Sequence, residues 1–158
     1  MLEQERLSSP SRVVLGGGLL GAALLFISQF LNLSSVHIAS SQRALGSITA
    51  GAEHGWAMIP IAVLAALLAY GFWSVGSRPA LLAVGLLGLL ALLITLLHDL
   101  SYTHRTGLRT VAGHYVLAGN RPGAGFYLEL VGAMLLLLTC VSGFLLIGSG
   151  SPVRRAAK

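Results

Sequence analysis

Long apolar stretches alternate with short polar ones along this chain. Val13–Asn32, Trp56–Gly76, Ala80–His98 and Phe126–Gly148 are almost free of charge. A helix crosses the hydrocarbon of a bilayer with about 20 apolar residues, and each stretch is close to that length. The pattern predicts an all-α membrane protein, a four-helix transmembrane bundle with two long extracytoplasmic loops. Residues 1–158 read as one four-span domain.

Local signals place the ends of the elements. Pro10 lies in a polar leading segment, with Ser9 or Ser11 available to cap the first helix. Gly17 and Gly21 form a GxxxG pair, which allows a second helix to approach closely. Gln29 and Asn32 fall near the end of that span, where water is expected to reach them. Pro60 falls in the first turn of the second span, where its missing N–H costs least. The short connection Ser74–Pro79 predicts an antiparallel hairpin of the second and third spans. The two long connections are Leu33–His54, with weak periodicity and room for a short interfacial helix, and Leu100–Gly125. Within the second, Thr110–Leu117 reads as a short strand, and Gly119-Asn120 and Pro122-Gly123 read as turns.

Composition sharpens this picture. Charged residues make up 9% of the chain, against about 25% in an average soluble domain. The net charge is +5, from ten Lys and Arg against five Asp and Glu. These basic residues lie at span ends and in loops, where anionic lipid and topology account for them, so no nucleic-acid partner is expected. With both termini on one side, that side holds Arg6, Arg12, Arg78, Arg154, Arg155 and Lys158, and the other holds Arg43, Arg105, Arg109 and Arg121. The excess of basic residues in short segments assigns both termini to the cytoplasm of a bacterial cell and the protein to its plasma membrane. Charged Glu3 and Glu5 beside Arg6 and Arg12 argue for a retained first helix rather than a cleaved leader. The single cysteine, Cys140, lies inside the fourth span and reads as a small apolar core residue.

Candidate chemistry collects at one rim. The topology gathers Glu53, His54, His98, Asp99 and Glu129 at the outer interface, with His104 and His114 in the adjoining loop. Imidazoles and carboxylates together can ligate a transition metal or relay protons. Two histidines on facing helices can also hold a haem, although His54 and His98 sit at the rim rather than within the bundle. The simpler expectation is that water and headgroups solvate all five at helix ends, with Glu129 in a first turn and His98 in a last turn favoured by the helix dipole. Glu53 and Asp99 would then pair with Arg43, Arg105 or Arg109. There is no nucleophile elbow, Walker loop, zincin motif or cysteine pair.

A resemblance adds to this reading. Gly51-Ala52-Glu53 leads to Pro60 and an Ala/Leu-rich helix. A tight turn holds Arg78, and Phe126-Tyr127 opens the last span before Gly132. In these features residues 13–148 resemble the tryptophan-biosynthesis-associated membrane protein family, among the small four-span membrane proteins of actinobacteria. The layout is also similar to claudin-like tetraspans. The resemblance implies the four-span plan and brings no catalytic residues. The expected function is that of a non-catalytic accessory or scaffold subunit of a larger membrane complex, or of a homo-oligomer, with no cofactor required. A metal- or haem-handling protein and an oligomeric pore are the alternatives, and the absence of a central Asp, Lys or Arg in the spans weighs against the pore.

Overall fold

The computed structural model describes residues 2–41 and 43–149, and the side chains of residues 11–147 apart from Gln42. The basic tail with Arg154, Arg155 and Lys158, and the side chain of Arg6, lie outside the described residues. The chain runs α1 (Leu2–Ser28), β1 (Asn32–Ile38), β2 (Ala44–Thr49), α2 (Ala50–Glu53), α3 (Met58–Val75) and α4 (Arg78–Ile94). A π-helical turn (Thr95–Asp99), α5 (Leu100–Thr103), β3 (Thr106–Val111), β4 (His114–Pro122) and α6 (Ala124–Ser149) follow.

Among the described residues, four helices are long and apolar enough to cross a membrane: Ser11–Ser28, Met58–Val75, Arg78–Thr103 and Ala124–Ile147. They pack in a ring, α1 against α3, α3 against α4, α4 against α6 and α6 against α1. Small residues and large ones share the inside of the ring: Ala22, Ala62, Ala65, Ala69, Ala91 and Ala133 are buried beside Leu25, Met58, Leu81 and Leu136. Many large apolar groups, among them Leu67, Leu86, Leu138 and Leu145, are exposed on the outside. The GxxxG expectation holds: Gly21 faces Gly132, where an added Cβ on Gly21 would stand 3.0 Å from the Gly132 carbonyl oxygen. Polar Ser11 does not open α1, which starts at Leu2 and runs through it. The α3–α4 hairpin is as expected. Gly76 ends α3 in the left-handed region, the Ser77 hydroxyl accepts from Ala80 N at 3.4 Å, and Pro79 sits in the first turn of α4.

The all-α expectation is corrected at the other end. The two long connections are not loops but two hairpins of one antiparallel sheet, in the order β2-β1-β4-β3. No interfacial helix fills Leu33–His54; that segment is a hairpin followed by the single turn of α2. Once the backbone leaves a helix, its N–H and C=O groups need new partners, and pairing supplies them. The β1 strand pairs centrally with β4, with Ser35 opposite Arg121 and His37 opposite Gly119. Gly119-Asn120 is therefore inside a strand rather than a turn, while Pro122 does end β4. Thr110–Leu117 is not one strand but the tip of the β3–β4 hairpin. Ala112 (φ 50°) and Gly113 (φ 81°) both take positive φ, as the tight hairpin turn demands. One sheet built from both connections puts them at the same end of the ring, opposite the α3–α4 turn.

The close α1–α6 approach is testable. A Cβ on Gly132 would stand 2.9 Å from the Gly21 carbonyl oxygen and 3.0 Å from Leu25, whereas one on Gly16 meets nothing within 4 Å. Gly132→Leu is expected to destabilise the protein by about 1–3 kcal/mol, and Gly16→Leu to leave it nearly unchanged. Thermal unfolding in detergent micelles compares them; equal behaviour of the two variants would contradict the contact.

Candidate functional site

Every crossing between helix and sheet contributes a polar residue to one buried cluster. Gln29 follows α1 just before β1, and His54 follows β2 and α2 just before α3. Asp99 closes the π turn before β3, and Glu129 sits on α6 after β4. Gln29, Asp99 and Glu129 are fully buried, and the His54 side chain is 5% exposed.

Local structure explains each placement. After α1, tight turns bond Gln29 N to Phe26 O and Leu31 N to Ser28 O, which swings Gln29 inward rather than toward water. Gly51 N donates to Gln29 O at 3.0 Å, docking α2 on this turn. A Cβ on Gly51 would stand 2.8 Å from Gln29 O and 2.5 Å from the Trp56 ring, so only glycine admits the approach that carries His54 inward. Thr49 caps α2, its hydroxyl accepting from Ala52 N. The third long helix does not stop at His98. It passes through a π turn and continues to Thr103. The extra residue of a π turn rotates the side chains that follow it, and such turns cluster at functional sites. Here Asp99 is fully buried while the His98 side chain stays 56% exposed. On α6, Glu129 is the sixth residue and not in the first turn, and it is buried rather than solvated.

The distances are short. His54 Nε2 stands 3.2 Å from Asp99 Oδ1 and 3.6 Å from Glu129 Oε2. His98 Nδ1 lies 3.1 Å from Asp99 Oδ1, and the two imidazole rings meet edge to face at 5.7 Å. Gln29 Nε2 donates to Glu129 Oε1 at 2.7 Å, and the Ser28 hydroxyl lies 3.4 Å from the same oxygen. Ser28 thereby bridges α1 to α6 through Glu129.

Of the five residues predicted from sequence, the structure joins four: His54, His98, Asp99 and Glu129. Glu53 is half-buried on α2 and provides no atom to the group. The expected Arg partners of Asp99 are replaced by histidines. His104 and His114 are exposed on the sheet side, apart from the cluster. Gln29 and Ser28 were missed as site residues; a polar pair at the end of an apolar run, four helices' worth of chain before Glu129, was the available signal.

His54 lies just outside the four long apolar helices. Burial opposes its charge, but the polar contacts and negative charges of Asp99 and Glu129 outweigh burial and raise its pKa from 6.5 to about 10. Comparison with protein-family models, with curated proteins and with solved structures finds no match to this chain.

A raised histidine pKa stabilises the fold fully below pH 6.5, and that contribution is lost as pH rises through about 10. In chelator-containing detergent buffer, the melting temperature is expected to fall between about pH 7 and about pH 10. His54→Gln should melt lower at the neutral end and lose most of that slope. Parallel pH profiles for the two proteins would refute this role of the imidazolium.

Proposed function

We propose that this chain is a non-catalytic, multi-pass protein of the bacterial plasma membrane, an accessory subunit that presents its sheet outside the cell to an acidic partner in a larger membrane complex. Crossing by four helices is supported by their length and by the many large apolar side chains they leave exposed. The termini lie in the cytoplasm on the count of basic residues, and the hairpins lie outside.

The observation that carries the partner reading is the composition of the sheet. Residues 32–49 and 106–122 contain no Asp or Glu. Arg43, Arg105 and Arg109 are exposed there. Arg105 stacks over Tyr102, and Arg109 lines a cleft of about 480 Å³ with Val36, Ile48, Tyr102 and Val111. On the opposite face Leu108 stands across from Leu117, with Tyr115 two residues along, and all three are strongly exposed. Apolar anchors in a field of one charge sign suit a surface of the other sign. Edge strands β2 and β3 are scarcely covered by the rest of the chain, which suits them to a neighbouring subunit.

The test is cross-linking in native membranes from a photoreactive side chain at Leu108 or Tyr115. One partner should be recovered in fixed stoichiometry through an acidic segment, and Arg109→Glu should lower its recovery about tenfold, or ~1.4 kcal/mol. A lone monodisperse particle, or recovery indifferent to the charge reversal, would overturn the proposal.

A further inference from the structure

The buried junction cluster has a feature that its own hydrogen bonds do not satisfy. Gln29 Oε1, His54 Nε2, Asp99 Oδ2 and Glu129 Oε2 are all shielded from solvent, and none has a hydrogen-bond partner. They belong to side chains that are at least nine-tenths buried. Buried polar atoms are nearly always paired, and one orphan costs about 1–3 kcal/mol, so four in one cluster call for a ligand. Formal charge points the same way. Two carboxylates meet one buried imidazole, and a carboxylate removed from water needs a compensating cation.

The spacing fits coordination as well as an ion pair. His54 Nε2 comes within 3.2 Å and 3.6 Å of the two carboxylates without an aligned hydrogen bond to either. Around a tetrahedral ion with bonds of about 2.0–2.1 Å, neighbouring donor atoms stand about 3.3 Å apart. One donor atom from each of His54, His98 and Asp99 lies within 4.8 Å of the others. The donors are imidazole and carboxylate with no sulfur among them, a set suited to zinc and its neighbours rather than to copper(I) or an iron–sulfur cluster. Gln29 and Ser28 hold Glu129 Oε1 from behind, and so aim its other oxygen at His54 as outer-shell support.

We propose that His54, His98 and Asp99 bind one divalent transition-metal ion of the zinc class, clamping the helices to the sheet. His54 and Asp99 are the buried ligands. His98, more than half exposed, is the third ligand and marks the side from which the ion enters. Glu129, with Oε2 3.6 Å from His54 Nε2, stands beside His54 as an outer-shell carboxylate. Three protein ligands leave the fourth position of a tetrahedral ion to water. The ligands come from the segments that connect β2 to α3 and α4 to β3, so the ion fixes how the sheet sits on the ring.

The experiment uses the full chain in detergent micelles, stripped with a chelator and dialysed against zinc. Elemental analysis should find one zinc per chain, and zinc should raise the melting temperature. Asp99→Asn and Glu129→Gln, close in shape to the native residues, should weaken binding at least tenfold. Gln29→Leu, which removes only outer-shell support, should weaken it about 10–100-fold. Zinc no higher than in protein-free dialysate, or binding unchanged in all three variants, would overturn the proposal. Should a carboxylate variant fail to fold, the wild-type titration and His98→Ala still decide it: the exposed ring can be removed without a cavity, and undiminished affinity would count against the site. A carboxylic-acid C=O infrared band, absent in Glu129→Gln and present in metal-free wild type that takes up no zinc, would assign the compensating charge to a proton instead.

Discussion

One imidazole facing two carboxylates away from water is the constraint on which the rest of this structure turns. Such a group is costly to assemble, because each charge loses its hydration and only the others replace it. His54, Asp99 and Glu129 are brought together by three separate chain crossings, and Gln29 arrives from a fourth. The helical ring and the sheet are joined by these polar contacts and by the apolar packing of Leu33, Ala50 and Phe126, while each is held internally by its own means. The ring is held by close packing of apolar residues and the sheet by backbone pairing.

The helical ring follows from the sequence almost directly. Four apolar stretches almost free of charge, Gly17 and Gly21 in α1, Pro60 early in α3 and the Ser77-Arg78-Pro79 turn all carry local information, and the structure bears out each of them. Hydropathy and glycine spacing are properties of neighbouring residues, so they can be read without knowing what lies elsewhere in the chain. The gathering of His54, His98, Asp99 and Glu129 at one end was also legible, since it follows from an up-and-down order of helices.

What escaped reading depends on distant partners. Ser35 pairs with Arg121 and His37 with Gly119, contacts more than eighty residues apart, and nothing in NLSSVHI announces the β4 strand it needs. Alternation is weak because β2 and β3 are exposed on nearly every position. The burial of Asp99 depends on a π turn, a single inserted residue in an otherwise regular run of leucines, and that run carries no trace of it. Gln29 is likewise decided by a tight turn that reverses where its side chain points. Solvation was the natural expectation for polar groups at helix ends; tertiary folding overrode it by placing the sheet above them.

The pairing of β1 with β4 also orders events during synthesis. The first hairpin can close as soon as its residues emerge, but its central neighbour β4 is made only after α3, α4 and β3. Until then β1 presents an open flank, and His54 waits without Glu129. A nascent chain arrested before β4 would be a half-built receptor for its own last strand, set apart from the finished molecule by that vacancy alone.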